Sequence, residues 1–341
     1  MATHRVKTMM ELAKVSGISR PTLSKYFNDP SSVRVSMRQK IQTAVEKYDY
    51  RPNIFAINQN RKLTKTIGIV VPYSSDPFFA EMVRMIERRC IDAGFWPIVF
   101  SAHGQQELEN YALATLQSLR PAGALIAPLG KGSDFESVER FTKDVPTIVF
   151  DSNVAVGQGF VGSNNRQSIG LIVNYLCRTG EPPCFFEMAP VNPNANKRRD
   201  AYVKTMEELG HEPMVVQVSG SGWGFEEIGL TEGNRLIAER SLPSETILCS
   251  NDRLAVGLIA AAYQNGIQVG FKEGCSLRIA GHDDHPWSQF TCPPLTTVAQ
   301  DYHAIAEHSV ELLFDIISAK APAKERTEVL FEGTLVMRES A

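Results

Sequence analysis

The sequence predicts an α/β protein: a small all-α headpiece, then a larger core of two doubly wound parallel α/β subdomains. Three observations predict it. The first fifty residues carry helix-start signals and no strand pattern. After Thr66, short apolar runs alternate with helical stretches of ten or more residues, the rhythm of parallel sheets covered on both faces. The charge is also split. Residues 1–65 hold 13 Lys and Arg against 4 Asp and Glu, a net of +9, whereas the whole chain carries −3.

The headpiece begins with TMMELAKVSGISRPTLSKYFN, residues 8–28. Thr8 and Glu11 form a capping box that starts a helix at Met9, with Leu12, Ala13 and Val15 on its apolar side. Gly17 supplies a turn that needs positive φ. Ser19 caps a second helix, and Pro21 suits its first turn, where no N–H is required. Arg20, Thr22, Ser24, Lys25 and Asn28 then lie on the outside. This is the layout of a helix-turn-helix, whose second helix enters the DNA major groove. The alternative is a plain helical hairpin with a polar face. The basic charge favours DNA, because binding must replace condensed counterions. Ser36 and Gln39 read as a second capping box, starting a third helix through about Tyr48, with Ile41, Ala44, Val45 and Tyr48 as its stripe. Pro52 breaks the chain, and residues 53–60, poor helix formers, read as a linker.

Strands are expected at 67–73, 97–101, 123–129, 146–151, 184–188, 215–219, 246–251 and 277–283. Further candidates are 295–300 and a final extended stretch at 327–337. Helices are expected near 78–93, 106–119, 133–143, 165–178, 197–209, 226–240, 252–265 and 302–319. These units are too many for one sheet of usual width, which favours two subdomains.

The length of 341 residues suffices for a large core and two or more domains. No apolar run approaches the ~18 residues of a membrane span. MATHRVK leads straight into the first helix, so no signal peptide is expected. The cysteines at 90, 177, 184, 249, 275 and 292 include no CxxC pair, which points to free thiols in a reducing compartment. The expected location is the cytoplasm.

In parallel sheets, ligands bind beyond the carboxyl ends of strands. Those ends carry Ser74, Asp76, Phe78 and Phe79, then Asp151, Asn251, Asp252, Asp283 and Gln300. Arg198 opens a helix, and Trp223 sits in the Gly-rich loop GSGWGF. Carboxylates and amides beside aromatic faces suit a sugar, pairing with vicinal hydroxyls and covering its C–H side. Asp252 reads simply as a helix cap. Enzyme motifs fail. GSGWGF lacks the dinucleotide spacing, and LGKGS has Leu125 where a P-loop needs glycine. HDDH at 282–285 has no third metal partner identified, and no nucleophile elbow occurs. The expectation is a non-enzyme with no cofactor and no metal.

The whole chain resembles the lactose-repressor/galactose-repressor family of bacterial transcription regulators. The resemblance rests on GISRPTLSKYFN, YRPN at 50–53, DPFFAEM at 76–82, FD at 150–151 and KRRDAY at 197–202. It continues through LCSNDRLAVG at 248–257, IAGHDD at 279–284 and PPLTTVAQD at 293–301. It implies a headpiece at 1–50, a hinge at 51–65 and a periplasmic-binding-protein-like core at 66–341. Within the core it implies an N-subdomain of about 66–162 and 292–322 and a C-subdomain of about 163–291 and 323–341, joined by three crossovers. A homodimer on a palindromic DNA operator follows; with no leucine heptad after the last strand, a tetramer is not expected.

Carried over, Arg20, Pro21 and Lys25 would read the major groove. Thr8, Ser19, Thr22, Ser24, Asn28 and Asn53 would contact phosphate or position the headpiece. Ala56 and Gln59 would belong to the hinge contact. Phe78, Phe79, Asp151, Arg198, Trp223, Asn251, Asp283 and Gln300 would bind the effector, a small sugar. The alternatives are a purine- or nucleoside-type corepressor and a sugar-binding protein without a DNA function. Two departures stand out. Gln59 replaces the usual hinge Leu and Ile57 the usual Arg, which predicts a weaker kink or an altered operator centre. Pro21 cannot bond a base, which leaves more of the readout to Arg20.

Overall fold

The computed structural model describes residues 6–53, 64–219, 222–319 and 325–341. The chain forms two compact units, Met1–Lys65 and Thr66–Ala341.

The first unit has helices α1 (Met9–Ser16), α2 (Arg20–Asn28) and α3 (Val35–Lys47). Thr8 Oγ1 accepts the Glu11 N–H, and the Glu11 carboxylate accepts the Thr8 N–H, closing the expected capping box. Gly17 takes φ 67°, and Ser19 caps α2 by accepting the Thr22 N–H. Leu12, Leu23 and Ile41 meet in the core with no exposure, flanked by Val33, Ala44 and Tyr50. Two expectations are corrected. Val15 faces outward at 44 % exposed, and its carbonyl accepts the Tyr48 hydroxyl. Ser36 is no cap: α3 starts at Val35, and Arg34 in the cap position makes no side-chain cap bond. The turn at Pro30–Ser32 ends at Val33, which is drawn into the core, so helix resumes before Ser36.

In the second unit the first sheet takes β1 (Thr66–Val71), β2 (Trp96–Ser101), β3 (Gly123–Ile126), β4 (Thr147–Phe150) and β5 (Gly159–Ser163). It also takes a late strand, β11 (Thr327–Phe331). The order is β11-β5-β4-β3-β1-β2, and every pairing is parallel. Helices α4 (Pro77–Asp92), α5 (Gln106–Leu119), α6 (Phe135–Asp144) and α11 (Tyr302–Ser318) accompany this lobe. Their apolar stripes complete two core clusters, one on each side of the sheet.

The second sheet holds β6 (Cys184–Phe186), β7 (Val215–Val216), β8 (Thr246–Cys249) and β9 (Arg278–Ala280), all parallel, in the order β7-β6-β8-β9. An antiparallel ribbon of β10 (Thr297–Ala299) and β12 (Thr334–Val336) attaches to it through bridges Ala280–Thr296 and Asp283–Ala299. Its helices are α7 (Asn165–Thr179), α8 (Pro193–Glu208), α9 (Phe225–Glu239) and α10 (Asp252–Gln264).

The lobe boundaries differ from those expected. β5 was absent from the expected strands, and 327–337 is not one strand. β11 covers the edge that β5 would otherwise expose, and the chain then crosses so that β12 pairs with β10. Gln167 fixes that crossing: its side chain both donates to Gly333 O and accepts from Gly333 N. The segment 323–341 is therefore divided between the lobes. Residues 296–299 stay with the second lobe, because Thr296 bridges Ala280 at the end of β9 and Ala299 bridges Asp283 beyond it.

Helices α9 and α10 touch backbone to backbone. A Cβ added at Gly257 would lie 2.1 Å from Glu226 O, and one at Gly229 would lie 2.3 Å from Leu254 O. Gly257→Ala must push these helices apart. It should cost about 1–3 kcal/mol, the usual range for overpacking, read as a lowered urea midpoint with unchanged m-value.

Candidate functional site

One cleft between the two lobes collects the strand ends. The eight residues named for it, Phe78, Phe79, Asp151, Arg198, Trp223, Asn251, Asp283 and Gln300, all line it. Asp76, Met188, Asn192, Asn194 and Phe225 line it too. Its free volume is about 30 Å³, room for about one water.

Arg198 forms the floor. It lies on α8, which starts at Pro193 and not near 197, because Asn192 accepts the N–H groups of Asn194 and Ala195. The buried guanidinium spends three nitrogens on protein partners. Nε donates to Asn165 Oδ1 at 3.0 Å, Nη1 to Ser250 O at 2.7 Å and Nη2 to Asp283 Oδ1 at 2.8 Å. Asp283 also accepts Gln300 Nε2 at 2.6 Å and pairs with His282 Nδ1 at 2.9 Å. Burial alone would raise the Asp283 carboxyl. Arg198 and the His282 bond outweigh it and hold the group below the usual carboxylate range. His282 is buried, which with the nearby Arg198 charge pulls it down to about 4, so its ring is neutral at pH 7.

Asp151 closes the opposite wall at φ 60°, a left-handed backbone that a non-glycine residue adopts at a cost. Its Oδ1 accepts Asn194 Nδ2 at 2.9 Å, and Oδ2 accepts the Ser152 hydroxyl. Burial pushes its carboxyl up to about 7, against Arg198 and with Asp283 and Asp76 adding to the rise.

The lobes meet again at the cleft mouth. Arg253 of the second lobe donates Nη1 to Asp76 Oδ2 of the first at 2.8 Å, and both side chains are buried. Its Nε and Nη2 grip Glu226. Trp223 stacks on Tyr73 of the first lobe at 6.1 Å between centroids with the rings nearly parallel, and packs edge-on to Phe79.

In the headpiece, Thr8, Ser19, Arg20, Pro21, Lys25 and Asn53 are exposed, while Thr22, Ser24 and Asn28 are partly so. Ser19 and Thr22 hydroxyls bond to each other at 2.8 Å. Ala56, Ile57 and Gln59 lie outside the described residues.

A profile for the periplasmic binding protein-like domain matches residues 167–341, just over half the chain, and one for bacterial regulatory proteins of the lacI family matches residues 8–53. The chain belongs to the lacI family of bacterial regulatory proteins. The "Ribose operon repressor" of Escherichia coli (strain K12) is 26 % identical over 94 % of this chain and 96 % of its own length. The "HTH-type transcriptional repressor PurR" of Pasteurella multocida (strain Pm70) is 26 % identical over 98 % of each. The Lac repressor dimer solved with operator and the anti-inducer ONPF superposes with a TM-score of 0.84, at 23 % identity, over 98 % of this chain and 99 % of that one.

Among the residues lining the cleft, sequence reasoning missed Met188, Asn194 and Phe225. Met188 closes the expected strand at 184–188 but carries a thioether in place of the polar group that marks a strand end, and only the early start of α8 brings Asn194 in. Asp252 is corrected: Asn251 caps α10, while Asp252 accepts Ser288 Oγ, His285 N and Thr297 Oγ1 and ties three segments together. Glu187 does not line the cleft and pairs with Arg199. Among the described residues no cluster of three His, Cys, Asp or Glu is placed to hold a metal.

Asp151 ties stability to pH. Its folded-state value lies above the ordinary one, so the stability held below about pH 4 is lost as pH rises through about 7. Asp151→Asn stays neutral. Its melting temperature should gain on the wild type between pH 5 and 8, and parallel curves would refute the assignment.

Proposed function

We propose that this chain is a DNA-binding transcriptional repressor whose operator affinity is set by a small sugar bound between the core lobes. The observation that carries the reading is the cleft. Amides, carboxylates and one guanidinium converge there beneath Phe78, Phe79 and Trp223, the chemistry that recognises a polyol. A ligand there alters lobe closure, and it shifts the regulator only by preferring one closure state. Relatives named for ribose and the headpiece motif agree with this. A purine-type ligand is the second reading. The relatives named PurR and the aromatic wall favour it, since a base stacks where a sugar's C–H face packs.

The DNA contacts we assign are Arg20, Pro21 and Lys25 in the major groove. Thr8, Ser19, Thr22, Ser24, Asn28 and Asn53 position the headpiece, and Ala56 and Gln59 act at the hinge. The protein works as a homodimer on a two-fold operator.

A thermal-shift panel of pentoses, hexoses and purines tests the cleft. The active ligand at ~100 times its Kd should add about 2.7 kcal/mol, and Arg198→Ala should abolish the shift. A shift that survives Arg198→Ala would place the ligand elsewhere. For the headpiece, Arg20→Ala should cost about 1–3 kcal/mol of operator affinity and relax preference at one base pair. Unchanged preference in a gel-shift competition would refute Arg20 as a reader.

A further inference from the structure

We infer that the cleft selects an uncharged polyhydroxy ligand and excludes its phosphorylated and carboxylated forms; this rests on the effector reading above. Three carboxylates line the cleft, Asp76, Asp151 and Asp283, against one cation, Arg198. Arg198 is neutralised by Asp283, and Asn165, Ser250 and Asp283 take three of its five N–H groups. Behind the wall, Arg253 is shared between Asp76 and Glu226. Among the described lining residues there is no lysine and no histidine. Asp151 is left with the Asn194 amide and the Ser152 hydroxyl and forms no ion pair.

A phosphate brought here would surrender its hydration and meet one guanidinium already neutralised by Asp283, with the carboxyls of Asp76 and Asp151 beside it. Anion sites are built the other way, with an arginine fork or a helix N-terminus left open. An uncharged polyol meets no such barrier. Its hydroxyls donate to Asp151 and Asp283 and accept from the amides of Asn194, Asn251 and Gln300. Each wall group then exchanges one neutral partner for another.

The test is calorimetry on the full chain with matched pairs: D-ribose with D-ribose 5-phosphate, D-fructose with D-fructose 6-phosphate, and D-galactose with D-galacturonate. Arg198→Ala serves as the control that locates binding in the cleft. In whichever pair binds, the neutral member should be at least about a hundredfold tighter, in line with the cost of opposing like charges. At pH 8, where Asp151 is ionised, Asp151→Asn should shrink that ratio about tenfold, because it removes one buried charge and keeps the shape. Tighter binding of the charged member, lost in Arg198→Ala, would overturn the inference and leave the effector reading standing. A panel in which no member of any pair binds would overturn the effector reading, and the inference with it.

Discussion

The buried Arg198–Asp283 pair is the interaction on which the rest of the cleft depends. Taking two charges out of water is costly, and the attraction offsets this only where every remaining donor and acceptor is satisfied. Here they are. The guanidinium reaches α7 through Asn165 and the end of β8 through Ser250, and the carboxylate gathers His282 and Gln300. One pair thus joins two helices, two strand ends and a crossover. Removing Arg198 would strand a buried carboxylate, so its loss would damage the floor of the cleft.

The mouth of the cleft follows a different physics. Asp76 with Arg253 and Trp223 with Tyr73 are contacts between lobes, and both break when the lobes part. Contacts between lobes of this kind are the ones a change of closure would act on, whereas the floor pair of Arg198 and Asp283 does not span the two lobes. The crossovers divide the two: Gln167 holds Gly333 at one and Gln300 meets Ser163 at another.

Much of this was legible from residues alone. Parallel strands place the residues at their carboxyl ends together, so Asp151, Asn251 and Asp283 are legible from position and fall in one cleft. The helix-turn-helix was equally plain, since Thr8, Gly17 and Ser19 act through local backbone chemistry. What stayed hidden depends on distant chain. β5, GFVGS, has two glycines and no long apolar run, and it becomes a strand because β4 and β11 flank it. Ser36 looked like a cap, but burial of Val33 decided where α3 begins. Asn194 entered the cleft only because α8 starts early.

The late strands carry a consequence for how the chain is made. β11 is an edge of the first sheet and β12 belongs to the ribbon on the second, so neither lobe is contiguous in sequence. Neither lobe's sheet is complete until the segment 327–336 has been made. The headpiece core, from Val6 to Tyr50, needs nothing downstream. Synthesis from the N-terminus therefore offers the DNA-reading module first, while the sensing lobes, rich in contacts between distant segments, form last and slowest.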